Sequence, residues 1–235
     1  MPSPKHKGPK STKPPHTQTT PTKAKNPNPK DRDSDPPPYR QIRALSTATT
    51  ITVYQAYSPS IATAAVATQS FSNVPGFKRE RMTWIKPSFL WMAYRCGYAT
   101  KKGQERVLAV EITRAGFEWA LRHSCLSHTA RGASAREVEE WREQMKGSPV
   151  RIQWDPERDI FFAPLGYRSL QVGLGPDAVQ RYISEWIVSI RDVTGSMVRI
   201  QGLIEKGDLE GAWGEVPREE EYVLDEELRR VIGAS

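Results

Sequence analysis

The sequence predicts an α+β domain preceded by a disordered basic tail. Short runs of β-branched and aromatic residues alternate irregularly with helical segments, which disfavours a doubly wound parallel sheet. The 235 residues are 37% hydrophobic, enough to bury one sizeable core. Eleven of the 19 prolines fall within residues 1–38, beside eight Lys or Arg, three Asp and no aromatic side chain. Such a segment buries too little apolar surface to offset its ordering entropy.

The tail also carries most of the charge. It holds +5 of the chain's net +7, leaving +2 for residues 39–235. A basic tail suits contact with nucleic acid or a nuclear address, and equally a solvated leader without a specific partner. No apolar run approaches the roughly 20 residues of a membrane helix. The opening MPSPKHKGPK leads into Pro, Ser and Thr rather than the apolar core of a secretory signal. Two cysteines, Cys96 and Cys125, are too few for a disulfide framework, which points to the cytoplasm or nucleus. The expected organisation is a disordered tail over 1–38, one globular domain over 39–222 and an acidic C-terminal extension over 223–235 that stays on the surface.

Within the body, TTITVYQAY reads as a strand. SPSIATAAVATQ reads as a helix with Ser58 as N-cap and Pro59 at its first position. PSFLWMAYR is a short helix, apolar nearly all round and therefore buried. ERVLAVEIT is a strand and AGFEWALRH a helix. Ser134 and Glu137 form a capping box for a helix whose Val138, Trp141 and Met145 share one face. VRIQWDPERDIFFAPL predicts two strands joined at Asp155-Pro156-Glu157-Arg158, with RSLQVGL a third. The spacing of Val179, Tyr182, Ile183, Trp186, Ile187 and Ile190 predicts one helix from Asp177, and a second lies around Val198 to Ile204.

Few constellations point to chemistry. Gly173 and Gly175 in VGLGPDAV sit between a strand and a helix as a dinucleotide loop would, but no strand carrying an acidic residue follows, and an ordinary turn is the simpler expectation. His123, Cys125 and His128 lack the ligand spacing of a zinc site. No G-x-S-x-G elbow is present. More informative are Arg79, Arg81, Lys86, Arg95 and Arg151, which alternate with Trp84, Trp91, Tyr94 and Trp154. Cationic groups among aromatic faces suit a phosphorylated, aromatic ligand, although Trp and Tyr also fill cores and Arg stems pack over them. Gln55 and Gln153, each within a strand, need paired amides if buried, either across strands or to a ligand.

The segments RMTWIKPSFLWMAYRCGYATKKGQERVLAVEITRAGF, SPVRIQWDPERD and YRSLQVGL strongly resemble the family known as domain of unknown function 4291, from about Tyr39 to about Tyr222. A second resemblance is one of layout. VYQAYSPSIATAAVATQSF is similar to the first strand and helix of ADP-ribosyltransferases, PSFLWMAYR with ERVLAVEI to their middle segment, and VRIQWDPERDIFFAPL to their third. This second resemblance implies a split mixed or antiparallel sheet with flanking helices, NAD as substrate in a cleft between two small sheets, and ADP-ribose transfer to a nucleic acid or nucleotide. It puts Gln55 where that superfamily has His or Arg, Trp84 near its nicotinamide-stacking Tyr, and Gln153 near its Glu, with Glu157 supplying the carboxylate if the hairpin turns it inward. The expected catalytic residues are then Gln55, Gln153 and Glu157. Arg43, Arg81 and Lys86 would hold the pyrophosphate, and Trp84 and Tyr94 would stack on nicotinamide or adenine. The other expectation is a non-catalytic module that binds nucleotide or nucleic acid through the same basic aromatic surface, with no membrane partner in either case.

Overall fold

The computed structural model of the protein describes residues 36–129 and 132–235. All but the last three residues of the expected disordered tail lie outside them. The chain runs through β1 (Arg43–Ala44), β2 (Thr50–Tyr57), α1 (Pro59–Thr68), β3 (Thr83–Ile85), α2 (Phe89–Cys96), β4 (Arg106–Thr113), α3 (Arg114–Arg122) and β5 (Ser124–Leu126). It continues with α4 (Ala135–Gly147), β6 (Val150–Arg158), β7 (Pro164–Leu174), α5 (Pro176–Arg181), a π turn at Tyr182–Trp186 and β8 (Ile187–Asp192). The last elements are α6 (Thr194–Glu205), α7 (Leu209–Glu215), β9 (Glu220–Glu221) and α8 (Glu226–Ile232). The architecture is α+β, as the irregular mixture of patterns predicts.

One sheet has the antiparallel order β2-β4-β8. Its strands TITVYQAY and RVLAVEIT are apolar almost throughout because both faces of the sheet are covered. Ile51, Val53, Leu108 and Val110 face the larger core. Tyr54, Val107 and Ala109 face a second core, completed by Phe89 and Met92 of α2, Met197 of α6 and Trp213 of α7. The other sheet has the order β3-β7-β6-β5, antiparallel except for the β5–β6 pair. Between the sheets lies an isolated antiparallel bridge, where the Tyr54 N–H donates to the Lys86 carbonyl at 2.7 Å. β1 and β9 form a separate two-residue ladder.

Local signals fix several boundaries. Ser88 accepts the Trp91 N–H at 3.1 Å and starts α2, which stops at Gly97 in the left-handed region with φ 62°. The Ser134–Glu137 capping box is formed at α4. Along α4, Val138, Trp141 and Met145 are the half-buried positions, and the Trp141 indole donates to the Leu126 carbonyl at 2.7 Å. Gly116 lets α3 lie directly against the Trp186 ring, which a Cβ there would overlap.

Three readings of the sequence differ from the structure. The β6–β7 turn lies at 159–163, not at Asp155–Arg158. Asp159 Oδ1 accepts the N–H groups of Phe161 and Ala163, each at 2.8 Å, and Phe162 takes φ 67°. This side-chain-bonded turn outcompetes the Asp-Pro signal, and Pro156 is accommodated at a strand irregularity. The helix expected from Asp177 to Ile190 ends in the π turn, because the β-branched stretch from Ile187 pairs with β4 and completes the sheet. The acidic end does not stay on the surface: α8 buries Leu228 and Ile232 in the larger core, and the Trp154 indole donates to the Ile232 carbonyl at 2.8 Å. The paired charges of that helix, Glu226-Glu227 and Arg229-Arg230, hide two apolar positions four residues apart.

Leu228→Ala should therefore cost about 2–5 kcal/mol in denaturant unfolding, the usual penalty for a core cavity. A change of a few tenths would return residues 223–235 to a surface role.

Candidate functional site

The bridge at Lys86 brings β3, the start of α2 and the β6–β7 ladder to one place, and three cavities adjoin there. The middle one, of about 520 Å³, is lined by Trp84, Gln153, Asp155, Arg158 and Gln171 from the sheet, by Trp91, Tyr94 and Arg95 from α2, and by Lys86. It shares Trp84, Lys86 and Arg95 with a cavity of about 410 Å³ that reaches Gln55, Lys78 and Arg81. It shares Arg158 with one of about 570 Å³ that contains Arg43, Glu157 and Glu219.

In the middle cavity the two sheet strands present their polar faces. Gln153 and Asp155 lie on one side of β6 because side chains two apart on a strand share a face, and Gln171 of β7 is directly opposite Gln153. Both amides donate to Asp155: Gln153 Nε2 to Oδ1 at 2.8 Å, and Gln171 Nε2 to Oδ2. Trp84 occupies the facing β3 position above Gly173, where a Cβ would come within 2.9 Å of the indole. The glycine expected in an ordinary strand-to-helix turn is thus the floor on which Trp84 rests, and Gly175 caps α5.

Lys86 is 6% exposed, and its Nζ stands 5.2 Å from the Trp91 ring centroid. Burial pushes its pKa from the ordinary 10.5 down to about 7, reinforced by the Arg95 charge and opposed by Asp155 and Cys96. Two buried donors of the same cavity's residues have no partner: the Trp91 indole Nε1 and Arg158 Nε. The Arg158 guanidinium also lies 4.0 Å from the Tyr94 ring centroid. Unpaired buried donors are uncommon because each forfeits the hydrogen bond it made to water.

The flanking cavities take the remaining expected site residues. Gln55 is buried with its amide fully engaged, accepting from the Tyr182 hydroxyl at 2.7 Å and donating to the Trp84 carbonyl at 3.3 Å. Arg81 is exposed on the rim of that cavity. Glu157 turns away from Gln153. The register shift between Pro156 and Arg158 reverses the strand's alternation, so Glu157 enters the third cavity with Arg43. There burial pushes its carboxyl up, partly offset by the Arg158 N–H, Ser88 and Ser169. Glu219, whose Oε1 accepts the Phe89 N–H at 2.6 Å, is pushed well up by burial and by the Glu157 charge. Trp84, Lys86, Tyr94 and Gln153 are therefore brought together, whereas Gln55 with Arg81, and Arg43 with Glu157, fall to either side. The carboxylate that does join Gln153 is Asp155. Period-two alternation along β6 was the signal for it. Of the other basic and aromatic candidates, Arg151 is a scaffold residue that donates to the Ser148 carbonyl at 2.5 Å and to that of Met145.

Comparison with protein families gives a model for a domain of unknown function, DUF4291, matched by residues 41–222. The chain belongs to the DUF4291 family. The matched span contains every cavity residue named above and ends before α8. Neither the curated proteins nor the solved structures compared with this DUF4291 chain give a match. Among the described residues no group of three or more His, Cys, Asp and Glu is placed to hold a metal ion, and no helix is long and apolar enough to cross a membrane. His123 instead stacks on Trp119, with ring centroids 4.0 Å apart.

The electrostatics of Lys86 make a test of the site. Between pH 7 and 10.5 the unfolded chain holds a proton on this lysine that the folded protein does not, so stability rises with pH across that window. Lys86→Met keeps the apolar stem and removes the buried charge. Below pH 7 the variant should be more stable than the parent by on the order of 3–5 kcal/mol, with the gap closing toward pH 10.5. Parallel unfolding curves at all pH values would refute the shift.

Proposed function

We propose that this DUF4291 domain binds a nucleotide in the middle cavity, that NAD is the ligand the site suits best, and that it transfers ADP-ribose from NAD to a nucleotide or nucleic acid. The observation that carries the reading is the pair of unpaired buried donors, Trp91 Nε1 and Arg158 Nε, on residues that line an aromatic, cationic cavity. A ligand rich in acceptor oxygens and carrying flat rings supplies what those groups lack. Arg95 and Arg158 suit the pyrophosphate as planar forks, and Trp84 and Tyr94 offer ring faces for nicotinamide or adenine. Lys78 and Arg81, on the rim of the adjoining cavity, suit a polyanionic acceptor.

The layout supports the transfer chemistry. The cavity lies between the β3-β7-β6-β5 sheet and α2, and Asp155 offers a carboxylate held in place by two glutamine amides. In the reaction the ribose–nicotinamide bond breaks with its electron pair going to nicotinamide. The carboxylate stabilises the positive charge developing on the ribose, and the acceptor oxygen or nitrogen bonds to the same carbon and gives up its proton. The role given at first to Glu157 passes to Asp155 in this reading. Gln55, with both amide ends engaged by protein, positions β2 against β3 rather than touching ribose.

A non-catalytic nucleotide-binding module is the second reading, and it is favoured by the engagement of both Asp155 oxygens. Calorimetric titration with NAD and assay of nicotinamide release decide between them. Arg95→Ala and Arg158→Ala should weaken NAD binding about tenfold each, an amount usual for a lost charged hydrogen bond. Asp155→Asn should leave binding within about twofold and lower turnover by about 10²-fold, while Glu157→Gln keeps turnover. Binding without nicotinamide release would select the module, and no NAD binding by the parent protein would refute both uses of NAD.

A further inference from the structure

Six lysines lie among the described residues, and Lys78, Lys101, Lys102, Lys146 and Lys206 are exposed. Lys86 alone of these is interior. Its backbone is fixed by the bridge to Tyr54, and no carboxylate of the described residues forms an ion pair with its Nζ. It opens on two adjoining cavities, with the unpaired Trp91 indole and Asp155 beside it in one of them. A lysine placed to hold an anion by charge is usually solvated or paired. One largely buried at the edge of a cavity, near a hydrogen-bond donor and a carboxylate, has the surroundings of a reacting amine.

We propose that Lys86 is a nucleophile that condenses with the aldehyde of a phosphorylated ligand in the middle cavity, forming an imine at Nζ. The uncharged amine attacks the carbonyl carbon, and the carbonyl π pair moves to oxygen. That oxygen takes a proton, one proton leaves nitrogen, and loss of one water gives the C=N bond; nothing is oxidised or reduced. Trp91 supplies a donor for the carbonyl oxygen, Asp155 a carboxylate for proton transfer, and Arg95 and Arg158 hold the phosphate. The inference rests on the nucleotide reading only for the choice of cavity. The open-chain form of ADP-ribose, freed when NAD loses nicotinamide, carries such an aldehyde, and so does any small phosphorylated aldehyde.

Three charged or titratable groups act on Lys86: Arg95 and Cys96 from α2, and Asp155 from β6. With its pKa near 7, most of Lys86 is uncharged at pH 7.5, against about one part in a thousand for a solvated lysine. Full-length protein is incubated at pH 7.5 with ADP-ribose or, separately, with pyridoxal 5′-phosphate. Cyanoborohydride then reduces any imine to a stable amine, and peptide mapping locates the adduct. Lys86 should carry at least tenfold more adduct than Lys78, Lys101, Lys102, Lys146 or Lys206, with labelling rising through pH 7. Adduct from ADP-ribose alone identifies a nucleotide-derived aldehyde, and adduct from pyridoxal phosphate alone a smaller one; both uphold the chemistry. Label spread over the exposed lysines, or an unmodified Lys86, overturns it. Lys86→Met should lose the adduct while melting cooperatively, and if it does not fold, the site and pH profile of labelling in the parent protein still decide. Selective adduct in a protein that does not bind NAD refutes the use of NAD alone, whereas NAD binding with no adduct refutes this inference alone.

Discussion

The hydrogen bond from the Tyr54 N–H to the Lys86 carbonyl is the constraint on which the rest depends. β2 belongs to a sheet covered on both faces, and Tyr54 packs edge-on against Phe89, with ring centroids 5.4 Å apart. The residue after Pro87 caps α2, so the bridge fixes β3 and the entry to α2 together. Lys86 has no freedom to swing to the surface, because its backbone is tied to a buried strand. Its stem must run through the interior, and its amine ends where the two sheets part. The lowered pKa follows from this burial, which strips most of the water from the ammonium, and the Trp91 face does not replace a hydration shell.

The same logic explains the carboxyl cavity on the far side of Arg158. Glu219 reaches the N-terminus of α2 through the Phe89 N–H, and Arg43 donates to the Glu219 carbonyl at 2.7 Å. A carboxylate there complements the exposed N–H groups of the helix. α2 carries Trp91, Tyr94 and Arg95, so Glu219, just before β9, holds the wall of the middle cavity without lining it. Burial raises both carboxyls, the Glu157 charge raises Glu219 further, and Arg43 offsets part of the shift at each. The bulge at Pro156 that sends Glu157 there also leaves Asp155 as the last acidic group of β6 on the Gln153 side.

Much of the fold was legible because local signals agreed with tertiary demands. Ser58-Pro59 and the Ser134–Glu137 box each start a helix where the sequence places one, whereas α2, expected from Pro87, begins after the cap at Ser88. Legibility failed where a distant partner decided. Ile187 to Ile190 continues a helical stripe, yet β4 needed a neighbour, and a β-branched run serves a ladder at least as well as a helix. In the site, Trp84, Lys86 and Tyr94 were visible as cations among aromatics. Strand alternation alone would have led from Gln153 to Asp155 and Glu157 together, and the bulge that separates them has no signature beyond a proline. That Trp154 is scaffold while Trp91 lines a cavity was not readable, since the distinction lies in whether the indole N–H found a protein partner.

The charges of the middle cavity restrict how any ligand can use it. Arg95 and Arg158 present guanidinium forks, Asp155 is held by two amides, and Lys86 stands near its midpoint at neutrality. A phosphate set against Lys86 would draw a proton onto it and end its use as a nucleophile. A carbonyl set against the arginines would leave their charge without a counterion. A ligand that satisfies every group must therefore place its phosphates on the exposed Arg95 and half-buried Arg158, and its electrophilic carbon deeper, beside Lys86. That order, anion outside and electrophile inside, follows from the desolvation of one amine. It holds for a ribosyl donor and for an aldehyde alike.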